Sequence, residues 1–229
     1  CKKTLSLLTA LVNEARHTEW IDSFAAYEKA EYDRVIRREI HPVSGPLHMG
    51  EVVDAVSEAV DHDAVLVTDV GQNQMMAARY FKFSRCRSMV TSGGLGTMGF
   101  GLPAAVGCTF ARPERTVCVF MGDGGLQMNL QEFGTIMEQR APVKMILLDN
   151  NYLGNVRQWQ AMFFGRRYAF TPMMNPDYMK IAKAYDIPAR RVIDRGELGD
   201  AVREMLLTEG PFLLQACVLE EGNVLPMTP

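Results

Sequence analysis

The sequence predicts an α/β protein: a doubly wound, mostly parallel sheet of about six strands with helices on both faces, preceded by a helical linker segment. Two observations predict it. From residue 43 onward, short apolar runs rich in β-branched residues take turns with helical patterns. Four consecutive runs also end in glycines set beside oxygen-bearing side chains, as the ligand-binding edge of such a sheet requires.

The elements follow in order. Leu5, Leu8 and Val12 recur at helical spacing, as do Leu7, Leu11 and Ala15, so an amphipathic helix opens the chain. The start Cys1-Lys2-Lys3 followed by Thr4 to Val12 looks like a secretory signal, but no A-x-A-type cleavage site follows. A first residue other than Met reads as a piece of something longer. From Trp20 to Arg38 charge dominates (Glu28, Lys29, Glu31, Asp33, Arg34, Arg37, Arg38), which reads as a surface linker. His41-Pro42-Val43-Ser44-Gly45-Pro46 then places a boundary near residue 42. The division is 1–42, an exit helix and linker, and 43–229, the sheet domain. Strands are predicted at 64–68, 88–91, 116–121, 143–148, 187–193 and 212–218. Helical patterns fall at 47–60, 73–80, 100–111, 130–139, 153–163, 176–185 and 197–207.

Composition narrows the function. With 24 Lys and Arg against 27 Asp and Glu, the net charge of −3 in 229 residues argues against a nucleic-acid or anionic-membrane surface. Hydrophobic residues at 48% allow a real core. No run approaches the roughly 18 apolar residues of a membrane span. Cys1, Cys86, Cys108, Cys118 and Cys217 show no C-x-x-C spacing and read as free thiols of a reducing compartment, hence cytoplasmic.

Chemistry is sought at the strand ends. They carry Asp69-Val70-Gly71-Gln72-Asn73, Ser92-Gly93-Gly94-Leu95-Gly96-Thr97-Met98-Gly99, Gly122-Asp123-Gly124-Gly125 and Asp149-Asn150-Asn151-Tyr152-Leu153-Gly154. Glycine lets backbone N–H groups approach a ligand, and each following helix offers its N-terminus to an anion. A phosphate ligand fits this edge. Gly94, Gly96 and Gly99 form a G-x-G-x-x-G, which keeps a nicotinamide-dinucleotide domain open. Against that reading, Asp123 is followed by Asn150 at the next strand end, and a ribose needs no such Asn. A carboxylate and an amide oxygen are hard ligands suited to Mg²⁺, which takes few protein oxygens together with substrate phosphates. Taken singly, Asp123 reads as a helix cap, Asn150-Asn151 as a turn and Met98 as core filler.

Gly122-Asp123-Gly124, followed after 25 residues by Asn150-Asn151, resembles the thiamine diphosphate motif that begins G-D-G and ends N-N. Its flanks, Ser92 to Ala105 and Val156-Arg157-Gln158-Trp159-Gln160, resemble the large catalytic subunit of acetolactate synthase (acetohydroxyacid synthase) from about Leu47 to the end. The resemblance implies a cofactor-diphosphate domain in an enzyme that condenses pyruvate with a second 2-ketoacid, with loss of CO₂, in branched-chain amino acid biosynthesis. It implies that Asp123, Asn150 and the Tyr152 carbonyl hold Mg²⁺. Gly124 and Gly125, and Gly71 with Gln72, would receive the diphosphate. Gly154 belongs to the same cofactor-binding edge. Gly96 and Met98 would meet the aminopyrimidine, with the Met98 side chain beneath the bent cofactor, and Trp159 would shape the pocket of the second ketoacid.

The family glutamate that protonates the aminopyrimidine comes from a pyrimidine domain of a neighbouring subunit, so no catalytic side chain is assigned here and the chain alone is expected to be inactive. FAD would sit mostly on the family's middle domain. A homo-oligomer and a regulatory small subunit are the implied partners. Two positions depart from the pattern: Asn73 stands where the family commonly has His, and Asn155 where it commonly has Met. Another thiamine diphosphate carboligase or decarboxylase, the dinucleotide domain, and an assembly module that binds no cofactor are the alternatives.

Overall fold

The computed structural model describes residues 1–225, in two compact units that part between Arg37 and Arg38. The last four residues of the expected 43–229 domain lie outside the described residues. The first unit is helical, with α1 at Lys2–Leu11, α2 at Thr18–Glu31 and a π-helical turn at Tyr32–Ile36. The charge-rich stretch read as a linker is therefore helix. Its Glu, Lys and Ala are good helix formers, and Lys29 pairs with Asp33 one turn on, at 2.6 Å. No residue of α1 or α2 is buried.

The second unit begins earlier than the Pro and Gly cluster predicts, and Glu39 explains why. Sitting in the short helix α3 (Arg37–Ile40), its carboxylate accepts from Gly50 N at 2.9 Å and meets His48 Nδ1 at 3.0 Å. Residues 38–40 are thereby tied to the start of α4 (Met49–Ala59).

Six strands follow: β1 (Val65–Thr68), β2 (Met89–Val90), β3 (Val117–Gly122), β4 (Val143–Asp149), β5 (Ala189–Val192) and β6 (Phe212–Cys217). Their order is β2-β1-β3-β4-β6-β5, and every neighbouring pair is parallel. The helices between them are α5 (Gln72–Tyr80), α6 (Gly101–Ala111), α7 (Asp123–Met128), α8 (Glu132–Gln139), α9 (Gly154–Phe163), α10 (Tyr178–Ala184) and α11 (Leu198–Leu207). Each predicted strand and each predicted helix beyond residue 43 is found within two residues of its expected ends.

The two faces divide by the alternation of side chains along each strand. Val65, Val67, Val117, Val119, Val143, Met145 and Leu213 enter a core completed by Leu102 of α6, Phe133 and Ile136 of α8, and Tyr178 of α10. The alternate residues face α4, α5 and α11, where Phe120 meets Phe81 edge-on with ring centroids 6.2 Å apart. Covered on both sides, β4 is buried along its whole length, which is why its stretch Met145 to Leu148 reads as an unbroken apolar run. The chain places β2 on one side of β1 and then β3 on the other. That reversal opens a crevice at the carboxyl ends of β1 and β3.

Candidate functional site

An open cleft occupies this crevice. The loops after β1, β3 and β4 build it, and Met98 enters from the turn before α6. Of the residues predicted from sequence, Gly71, Gln72, Met98, Asp123, Gly124, Gly125, Asn150, Tyr152 and Gly154 line the cleft. Gly96 and Trp159 do not: Gly96 lies in an exposed turn, and Trp159 is 51% exposed on α9, stacked edge-on against Phe163. Gly71 has φ +124°, a conformation that side-chain-bearing residues rarely adopt, and as the residue before α5 it lets the chain turn into that helix three residues after β1 ends.

Asp123 follows β3 and is 1% exposed. Its Oδ1 accepts from Gly124 N at 3.0 Å and its Oδ2 from Asn175 Nδ2 at 2.8 Å. The same amide nitrogen donates to Asp149 Oδ1 at 2.8 Å and approaches Asn151 Oδ1 at 3.3 Å. Burial above all, with the neighbouring Asp149 carboxylate adding to it, pushes the Asp123 carboxyl up to about 6, while the Asn175 bond works the other way. Asp149 is itself held by Gln215 Nε2 at 2.6 Å. On its far side, Asn175 Oδ1 accepts from Gln127 Nε2 at 3.0 Å and from the Tyr178 hydroxyl at 3.2 Å.

Asn150, 2% exposed, directly follows β4, the strand beside β3. Its Oδ1 accepts from Tyr152 N at 3.3 Å, an Asx turn that bends the loop back over the cleft. Asn151 takes φ +57°, which asparagine tolerates well. The loop is then stitched to the following segment by Leu153 N donating to Thr171 O at 2.9 Å and Met173 N donating to Asn151 O at 2.8 Å. Among the described residues no three His, Cys, Asp or Glu side chains gather as a metal cluster. The hard oxygens of this edge are instead a mixture of carboxylate, carboxamide and carbonyl.

The Gln72 amide is engaged by protein groups. Its Nε2 donates to Gln158 Oε1 and to Gly222 O, both at 2.8 Å, and its Oε1 lies 3.5 Å from Asn150 Nδ2. Gln158 in turn donates to Val224 O at 2.9 Å and accepts from Val224 N at 3.0 Å. The segment after β6 is thereby tied to α9 and α5, with Arg157 pairing with Glu221 alongside. Among the described residues, two in the cleft keep buried acceptors without a partner: Asn73 Oδ1 and Asn155 Oδ1. Unpaired buried oxygens are costly, and their position in the cleft marks it as shaped for a polar occupant.

Sequence reasoning missed Asn175, Asp149 as a partner of the Asp123 amide donor, and the Gln158–Val224 pairing. Asn175 sits in Asn175-Pro176-Asp177, whose only sequence signal is turn chemistry. The Gln158 pairing had a weak signal in the sequence, a Gln on a helix face beside the predicted edge.

Comparison with known proteins agrees with this geometry. Residues 69–216 match the model of the family described as "Thiamine pyrophosphate enzyme, C-terminal TPP binding domain". The large subunit of acetolactate synthase isozyme 2 from Escherichia coli K12 is 43% identical over 189 residues, covering 80% of this chain and 34% of that protein. A probable acetolactate synthase large subunit from Methanococcus aeolicus is 38% identical over 218 residues, covering 93% of this chain and 35% of that protein. Acetolactate synthase 1, chloroplastic, from Nicotiana tabacum is 43% identical over 185 residues, covering 77% of this chain and 28% of that protein. The chain thus spans about a third of the length of the curated relatives it matches. No helix among the described residues is long and apolar enough to cross a membrane.

Proposed function

The chain belongs to the thiamine pyrophosphate enzyme family through its C-terminal TPP-binding domain, and from that premise we propose that it is the cofactor-diphosphate domain of an acetolactate synthase. The observation that carries the proposal is the placement of Asp123 and Asn150. They directly follow adjacent parallel strands, both are buried, and both line the cleft at the point where the strand order reverses. The residues fit the group. The oxygens are of the hard type Mg²⁺ prefers. The cleft is also cut to a backbone without side chains at Gly124, where a Cβ would meet Leu153 Cδ2 at 2.7 Å, and at Gly154, where it would meet Gln72 Oε1 at 2.0 Å.

Asp123 and Asn150, with the Tyr152 carbonyl, would hold Mg²⁺. Backbone N–H groups at Gly71 and at Gly124-Gly125 would receive the diphosphate, and the turn bearing Gly96 and Met98 would carry the ring half. Thiamine diphosphate, when bound, supplies the carbon nucleophile that lets a 2-ketoacid lose CO₂ and join a second 2-ketoacid. The side chains here bind and orient, and none is assigned a proton transfer. Pyruvate is the first substrate in this reading, and Trp159, which lies outside the cleft on α9, would border the space for the second. What supports a homo-oligomer, a neighbouring pyrimidine domain, a regulatory small subunit, FAD in the complete subunit, a role in branched-chain amino acid biosynthesis and a cytoplasmic location is the resemblance to the synthase family.

Calorimetry on the chain tests the proposal. Thiamine diphosphate should bind only with Mg²⁺ present. Asp123→Ala should weaken it by about 100-fold or more, in line with the loss of a metal-site group. NAD(H) should give no heat, and pyruvate with cofactor and Mg²⁺ should yield no acetolactate from the chain alone. Tight NAD(H) binding indifferent to Asp123→Ala would replace this reading with a dinucleotide one.

A further inference from the structure

Asp69 follows β1 directly and is fully buried, yet it has no part in the metal-binding set. Its polar partners are backbone N–H groups. Oδ1 accepts from Val70 N at 2.8 Å and from Gly99 N at 3.1 Å, and Oδ2 accepts from Gly101 N at 2.8 Å. The carboxylate thus grips both ends of the short passage that leads from Met98 into α6. The passage can come this close because Gly101 lacks a side chain: a Cβ there would lie 2.8 Å from Asp69 N. The start of α7 rests on the same group, since a Cβ on Gly125 would lie 2.2 Å from Asp69 Oδ1.

Between these supports stands Met98, whose side chain enters the cleft and whose Cε would be 3.4 Å from a Cβ on Gly124. The turn has little regular structure to hold it otherwise. Gly96 and Gly99 take φ +61° and +86°, and its other ties include Thr97 N donating to Ser92 Oγ at 3.0 Å, Phe100 N donating to Thr97 O at 3.3 Å and Asn129 Nδ2 donating to Gly99 O at 2.6 Å.

We propose that Asp69 is a positioning residue that sets the Met98 turn against the start of α7, and so shapes the part of the cleft that takes the ring half of the cofactor rather than its diphosphate. The inference rests on the thiamine diphosphate reading above. A carboxylate suits the task because it presents two acceptor oxygens to donors that converge from two segments. Asparagine keeps the shape but turns an NH₂ toward one of those donors, so the turn must move. Serine leaves a single, shorter acceptor.

The test is a pair of titrations in Mg²⁺, one with thiamine diphosphate and one with inorganic pyrophosphate, on the chain and on Asp69→Asn, Asp69→Ser and Met98→Ala. Each Asp69 variant should bind thiamine diphosphate about tenfold or more weakly, the size of effect a displaced contact produces. Pyrophosphate affinity should stay within about twofold. Met98→Ala should show the same split, and Asp69→Asn added to Met98→Ala should cost little more, because the two act through one contact. Unchanged thiamine diphosphate affinity in the Asp69 variants overturns the proposal. Loss of both probes in both Asp69 variants overturns it too, since Asp69 would then support the whole edge and not the Met98 turn. An unmutated chain that binds neither probe sinks the cofactor reading and this inference together, and the unmutated titration alone identifies that case.

Discussion

The side-chain amide of Asn175 donates to Asp123 Oδ2 at 2.8 Å, joining a residue of the loop before α10 to the candidate metal site. The same nitrogen satisfies Asp149 at 2.8 Å, so one neutral donor separates two buried carboxylates. Asn175→Ala removes that donor and leaves the two acids facing each other. The variant should lose about 1–3 kcal/mol of stability, the usual cost of stranding a buried polar group. In a domain of this size each kcal/mol lowers Tm by about 2–4 °C. Mg²⁺ with thiamine diphosphate should restore part of the loss by neutralising the pair. A melting curve identical to that of the unmutated chain would remove Asn175 from the site's support.

Gly154 is held to glycine by contact. A Cβ there would lie 2.0 Å from Gln72 Oε1 and 2.8 Å from Asn150 Nδ2, displacing both cleft residues at once. Gly154→Ala should weaken thiamine diphosphate about tenfold or more, as expected of a misplaced binding group. Gly107→Ala serves as the control. Its Cβ would meet nothing within 4 Å, so this exposed position within α6 should gain about 0.5–1 kcal/mol with no change in binding. Equal cofactor affinity in Gly154→Ala would show that Gln72 and Asn150 can move aside freely.

Gln158, 1% exposed, both donates to and accepts from Val224, and so pairs with the backbone after β6 as a strand would. Gln158→Leu leaves the Val224 N–H and C=O, and one hydrogen of the Gln72 amide, without partners. Amide hydrogen exchange at residues 222–224 should speed up while exchange in β3 and β4 stays slow, since local opening depends on local bonds. Unaltered protection at Val224 would rule out Gln158 as the tie.

The sheet was legible in the sequence because each strand announces itself locally. Val117 to Met121 and Met145 to Leu148 are apolar on both faces, as strands covered on both sides must be. The first unit was less legible: the charges of residues 20–38 describe a solvated surface equally well as helix or as linker, and only the backbone decides. At the site, the glycines and Asp123 with Asn150 could be read because their spacing repeats at strand ends. Asn175 could not, since it reaches Asp123 across 52 residues from a loop whose own pattern specifies only a turn. Nor could the occupation of the Gln72 amide be read, because Gln158 and Gly222 meet it only in the folded chain.

The pH dependence of the metal-free chain follows from Asp123. Burial, with Asp149 nearby, raises its carboxyl to about 6 in the folded state, against roughly 3.9 in an unfolded chain. Between these values the folded state binds a proton that the unfolded state does not, so stability falls as pH rises from about 4 to 6. Two pKa units set an upper limit of about 3 kcal/mol on the effect. Asp123→Asn, which is uncharged throughout, should flatten this slope in urea melts taken between pH 4 and 7. Mg²⁺ with thiamine diphosphate should act in the opposite sense, because cation and proton compete for the same carboxylate. Cofactor affinity should therefore climb as pH passes through about 6, and the bound chain should lose its acid-side advantage. Slopes that coincide in the unmutated chain and in Asp123→Asn would place the titration on another group and leave Asp123 ionised throughout.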